Sequence, residues 1–277
     1  MKFFLLAIVL GTALPTMAGE WQLVWQDEFD YTGLPDSTRW DYEEGFVRNQ
    51  EMQYYTRARP ENARVENGML IIEGRREKFR NPRYVPDSSQ WQTNREYASC
   101  TSASLTTLNK AAWRYGRIET RARIPGGKGI WPAFWLLGLN RATAGWPRCG
   151  EIDIMEFIGR EPELIHGTVH YALDGRHQSA SGTFRTPRPF DAFHLYAIEW
   201  DAERIEFFFD GRKYFTFESA RAGKGDDNPF RKPFYLLLNL ALGGNWSGEL
   251  DEKVLPVRYE IDYVRVFQRH AAAVTPR

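Results

Sequence analysis

Three carboxylates, Glu151, Asp153 and Glu156, interrupt an otherwise apolar run, GEIDIMEF, at positions 150–157. In an extended strand, side chains two apart share a face, so Glu151 and Asp153 point the same way, with Cys149 before them. Glu156 breaks that parity, and strict alternation would bury an unpaired carboxylate at great cost. One extra residue taken up as a β-bulge between Asp153 and Glu156 returns all three acids to one face. The interior then keeps Ile152, one of Ile154 and Met155, and Phe157. Crowded like charges raise at least one pKa, which sets an ionised group beside a protonated one near neutral pH, a nucleophile beside an acid. With the bulge counted, the Cα atoms of Glu151 and Glu156 stand about 13 Å apart at roughly 3.3 Å per residue. Two glutamate side chains leaning together close much of that span. A solvated charged face is the competing reading, but such faces carry lysine or arginine partners, and none occurs between Glu151 and Phe157.

The elements that must hold these acids read as strands. Two-residue alternation recurs in LVWQDEF, GMLIIEG, GRIETRARI, GTVHYAL, HLYAIEW, RIEFFFDG, FYLLLNLAL and YEIDYVRVFQ. Turn chemistry at Glu66-Asn67-Gly68, Pro125-Gly126-Gly127, Leu173-Asp174-Gly175 and Asp210-Gly211 separates them. Short strands without an intervening helical pattern predict an all-β antiparallel sandwich or barrel. Within Arg117 to Arg123, Ile118, Thr120 and Ala122 predict a buried face and the charged residues a wet one. No repeat or linker divides the chain, so residues 19–277 are expected to form one domain. Arg76 to Gln92 and Ala220 to Arg231 read as surface loops.

Equal numbers of basic and acidic residues, 36 each, exclude an electrostatic grip on nucleic acid or an anionic membrane. The 15% aromatic share, with 10 Trp, exceeds what a core of this size requires, so some rings are expected to face a ligand. Flat rings with a polar edge suit sugars. Residues 1–18 have one lysine, an apolar run from Phe3 to Leu10 and small residues near Ala18, the pattern of a secretory signal, which predicts a secreted or periplasmic protein. In such a compartment Cys100 and Cys149 could bridge, or could be two separate buried thiols.

GEIDIMEF resembles the bulged active-site motif of glycoside hydrolase family 16, in its laminarinase-like branch of endo-β-1,3-glucanases. WPAFWLLG (131–138), GTVHY (167–171) and NLALGGNWSG (239–248) support the likeness. LVWQDEF and IDYVRVFQ resemble the family's ends, so the resemblance covers essentially the whole mature chain. It implies a β-jelly-roll sandwich of the concanavalin A-like type with a concave substrate cleft. It implies Glu151 as nucleophile, Glu156 as general acid and then base, and Asp153 steering their protonation, in a retaining double displacement that needs no cofactor. The implied substrate is β-1,3-glucan of the laminarin type or mixed-linked β-glucan, and the implied partner state is a monomer bound to polysaccharide alone.

Trp131 and Trp135, four apart, would share a face and stack successive sugars, or else pack in the core. His170 would lie near the acid/base, Asn49 would hydrogen-bond sugar hydroxyls, and Asn245 and Trp246 would sit on a turn at the cleft rim. Glu51 could equally be a structural partner for Arg48 or Arg95. The resemblance also implies a structural calcium on the face away from the cleft, held by Glu28, Asp262 and a carbonyl near Gly68, the alternative being surface acids without metal. A non-catalytic glucan-binding module, a hydrolase of agarose- or carrageenan-type galactan, and a transglycosylase stay open as alternatives.

Overall fold

The computed structural model describes residues 19–269; the expected signal at residues 1–18 lies outside them. The chain folds into a β-jelly-roll sandwich of two antiparallel-dominated sheets. One sheet has ten strands, eight of them in the spatial order Arg212–Glu218, Arg204–Phe209, His194–Trp200, Gly116–Arg123, Val257–Arg269, Met69–Arg80, Tyr97–Ser102 and Gln53–Tyr55. Trp21–Asp27 also pairs with Val257–Arg269, and Ala63–Glu66 with Met69–Arg80. The other sheet has seven strands: Arg176–Arg185, Leu164–Leu173, Glu151–Glu156, Ile130–Gly138, Phe234–Leu242, Ser104–Thr106 and Asp41–Glu43. No helix among the described residues is long and apolar enough to cross a membrane.

Alternation explains the packing. Ile118 and Ala122 from one sheet meet Phe134, Leu136, Ile152, Val169, Leu236 and Leu238 from the other in one shared core. Three hairpins turn on an Asx-Gly pair with positive φ at both residues, Asn67-Gly68 (55° and 73°), Asp174-Gly175 (52° and 73°) and Asp210-Gly211 (46° and 75°), the twist that tight two-residue connections require.

Several expectations need amendment. Both Ile154 and Met155 enter the core, where one of them was expected, because the bulge turns two consecutive side chains inward. Arg76 to Arg80 belong to the strand Met69–Arg80, paired with Tyr97–Ser102, and only the residues beyond form an irregular loop. That loop is tied by Asn81, whose Nδ2 donates to the carbonyls of Gln92 (3.1 Å) and Arg95 (3.0 Å). Cys100 and Cys149 are separate buried thiols.

Candidate active site

The strand Glu151–Glu156 lies between Ile130–Gly138 and Leu164–Leu173, and its pairing shifts register on both sides, after Asp153. Glu151 pairs with Leu137 and His170, Asp153 with Trp135 and Thr168, and Glu156 with Ala133 and His166. All three acids therefore face one groove on the outer side of the seven-stranded sheet, together with Trp131, Trp135, Asn49, Arg48, Glu51 and Asn239. A roomier depression of about 480 Å³ on the ten-stranded sheet is lined by Trp21, Arg114, Trp200 and Arg269 and contains none of the three acids.

Two indole N–H groups fix the outer acids. Trp146 Nε1 donates to Glu151 Oε2 (2.9 Å), and Trp131 Nε1 donates to Glu156 Oε1 (3.0 Å). Asp153, almost fully buried between them, has its Oδ2 at 3.4 Å from His170 Nε2. Burial raises all three carboxyl pKa values. Glu151 is pushed up to about 8 by burial and by the Asp153 charge, with His170, Arg48 and the Trp146 bond pulling the other way. Asp153 is likewise raised to about 8 by burial, against a bond with Glu151. Glu156 is raised furthest, by burial and then by both neighbouring acids. The contrast matters chemically: Glu156 lies well above its ordinary value under the charges of both neighbouring acids, while Glu151 has Arg48 favouring its charged form in addition to His170, which acts on both glutamates.

The groove wall is a hydrogen-bonded polar network in which Arg48 Nη1 is left without a partner among the described residues. Glu51 accepts from Gln53 Nε2 (2.7 Å) and Asn49 Nδ2 (3.2 Å), and Arg48 pairs with Glu43 while its guanidinium lies 5.0 Å from the Trp135 ring centre. Trp135 Nε1 donates to Asn239 Oδ1 (2.7 Å), and Asn239 Nδ2 to the Tyr55 hydroxyl (3.1 Å). The Glu51 carboxylate thus feels the charge of Arg48, and Arg95 bonds only to the Glu51 backbone carbonyl (3.3 Å).

Trp131 and Trp135 do share a face, but their exposures of 8% and 6% leave no open ring for stacking. The exposed aromatic beside the acids is Trp146, at 48%, five residues before Glu151 in WPRCGE, a signal passed over in the sequence. His170 pairs with Glu151 and its Nε2 faces Asp153 at 3.4 Å, close enough for its charge to act on Glu156 as well; His166 pairs with Glu156, where a ladder without the bulge would put Ile165. Trp246 packs edge-on against Trp131 (5.1 Å between centres), and the Asn245 amide donates to the Asn49 carbonyl (2.9 Å), which brings both to the groove's end. Arg48 and Asn239 are groove residues that periodicity did not single out.

Glu28, Gly68 and Asp262 lie apart, on the ten-stranded sheet. Glu28 accepts two bonds from Arg265 (2.8 Å each), and Asp262 accepts from Arg121 (2.6 Å). A calcium cage needs carboxylates free to turn on the ion; these two are already neutralised by guanidinium groups, so the donor set as arranged does not fit the ion.

The model of the family described as glycosyl hydrolases family 16 matches residues 51–265. The chain belongs to this family. It is a glycoside hydrolase, and its family relatives include a beta-glucanase of Rhodothermus marinus, 44% identical over 283 residues that cover 96% of this chain and 93% of the relative. The X-ray structure of the laminarinase from Rhodothermus marinus aligns at a TM-score of 0.78 and 44% identity, covering 91% of this chain and 99% of the other. A structure described with endo-acting O-glycanases that initiate mucin breakdown, from members of the human gut microbiota, aligns at 0.85 and 40% identity, covering 94% and 95%.

Proposed function

We propose that this family 16 hydrolase is a secreted or periplasmic endo-enzyme that cleaves β-1,3-glucan of the laminarin type, or mixed-linked β-glucan, by double displacement with retention. Residues 19–277 act as one catalytic domain, and the enzyme works as a monomer. The observation that carries this reading is the bulge that turns Glu151, Asp153 and Glu156 toward one groove with the outer two each held by an indole N–H.

Glu156 Oε1 accepts from Trp131, so its proton belongs on Oε2, which delivers it to the glycosidic oxygen as the bond breaks. Glu151 Oε2 accepts from Trp146, which leaves Oε1 to attack the anomeric carbon and form the glycosyl ester. Glu156, now ionised, takes a proton from water; the water oxygen attacks the same carbon and returns the electron pair to Glu151. Asp153 sits between the two glutamates with its Oδ2 3.4 Å from His170 Nε2, and its ionised form raises the pKa of both. Trp131, Trp135, His170, Asn49, Asn245 and Trp246 shape the sugar-binding groove around these atoms.

The sequence likeness to a beta-glucanase supports a glucan substrate, and the fold likeness to a structure described with endo-acting O-glycanases supports a second reading, endo-cleavage of a mucin O-glycan. The basic stretch from Arg75 to Arg83, which would suit a sulfated polymer, contributes nothing to the acid groove. Product analysis on laminarin, lichenan, agarose and mucin O-glycans separates the readings. Mixed-length oligosaccharides from laminarin are expected; action on agarose or mucin glycans alone overturns the glucan assignment. Glu151→Ala should abolish hydrolysis while leaving oligosaccharide binding measurable, and added azide should restore turnover as an α-glycosyl azide.

A further inference from the structure

The hairpin Leu164–Leu173 to Arg176–Arg185 places a second histidine behind the first. His177 pairs in register with Ala172, so it shares a face with His170, and their rings lie 5.2 Å apart with His170 Nδ1 at 3.0 Å from His177 Nε2. The other nitrogen of His170 faces Asp153 Oδ2 at 3.4 Å. The Trp146 ring, whose N–H holds Glu151, lies 4.7 Å from His177. We propose that His177 is a positioning residue that keeps His170 presenting an Nε2–H to Asp153, and through it keeps Glu151 ready to attack.

Counting protons on the two rings supports this. A neutral His170 that accepts at Nδ1 from His177 carries its hydrogen on Nε2, toward Asp153. A cationic His170 donates at Nδ1 to His177 and again carries a hydrogen on Nε2. The one arrangement that sets a lone pair against the Asp153 carboxylate is neutral His170 with its proton on Nδ1, and it is excluded in the tautomer of His177 that carries hydrogen on Nε2 and donates to His170 Nδ1. His177 therefore serves both charge states of its neighbour. Burial and the His170 charge hold its own pKa down, which keeps the second positive charge off the pair. The charged or titratable groups around this relay are Glu151, Asp153 and Glu156 on the acid strand, Cys149 and Arg141 before it, Arg48 across the groove, and Arg176 on the hairpin itself.

The inference rests on Glu151 being the nucleophile, and the two can fail separately. His177 is exposed, so replacing it leaves the core intact. His177→Phe keeps a ring against Trp146 but removes both nitrogens; His177→Gln can still donate and accept. With laminarin as substrate, His177→Phe should lower kcat by about tenfold and move the acid limb of kcat/KM upward by about one pH unit, a tenfold change per unit. KM and the alkaline limb should stay put, and His177→Gln should restore most of the rate. An unmoved acid limb, an effect on KM alone, or equal loss in both variants without a limb shift would overturn the proposal. If azide rescues Glu151→Ala while His177→Phe behaves as wild type, the nucleophile assignment survives and the positioning role falls.

Discussion

The strands Gly116–Arg123 and Glu151–Glu156 both carry charged side chains at two-residue spacing on an outer face, the first one acid among three arginines and the second acids alone, and they do opposite things with charge. On the first, Arg117 meets Glu119 (2.7 Å) and Glu199 (3.1 Å), Arg121 meets Asp262 (2.6 Å), and Arg123 meets Glu260. On the second, the outer acids receive two indole N–H groups, Asp153 has His170 Nε2 at 3.4 Å, and among the described residues no lysine or arginine pairs with them. Spacing is common to both; the counter-charge differs. Where guanidinium groups are supplied the acids are structural, and where they are withheld burial and mutual repulsion raise the carboxyl pKa values, the condition a general acid at Glu156 requires.

The sharpest way to break this contrast is at Glu156. Glu156→Ala should reduce hydrolysis of unactivated glucan by about 10²- to 10⁴-fold, with a much smaller loss on aryl glycosides whose leaving group needs no proton. Kinetics on the two substrate types decide it, and equal losses on both would remove Glu156 from the acid role.

A smaller effect concerns stability. Folding raises the Glu151 carboxyl from its ordinary value near 4.5 to about 8, so the folded state binds that proton more tightly than the unfolded chain. The stability this lends is fully present below about pH 4.5 and is lost as pH rises through 8. Glu151→Gln, which cannot ionise, should therefore melt about 2–4 °C above the wild type at pH 9 and close to it at pH 5. Calorimetry at the two pH values checks this; a difference that ignores pH contradicts it.

The smallest effect belongs to the other strand. Arg121→Ala breaks a half-exposed pair with Asp262 and should cost less than about 1 kcal/mol with kcat unchanged. Urea unfolding and laminarin kinetics test it, and a lost activity would link the two faces in a way the contrast denies.

The same comparison explains what the sequence made legible. HLYAIEW and FYLLLNLAL mark their strands to the residue, because buried apolar runs and clean alternation leave little choice. Arg176–Arg185 escaped because an edge strand of polar, half-exposed residues has no apolar face to announce it, and His177 was hidden with it. The bulge was readable from Glu156 being out of step, but the residue facing Glu156 across the ladder, His166, was not. Trp146 was missed because an exposed loop residue has no period at all. The exposed rings that sugars were expected to need are instead spent, at Trp131 and Trp135, on hydrogen bonds to groove residues.

The account stands most directly on which oxygen becomes bonded to sugar. Incubation with a β-1,3-linked 2-deoxy-2-fluoro glucoside bearing a dinitrophenolate leaving group, followed by peptide mapping, should find one glycosyl ester, on Glu151. An adduct on Glu156, or turnover that releases the α-anomer first with no adduct, would contradict it.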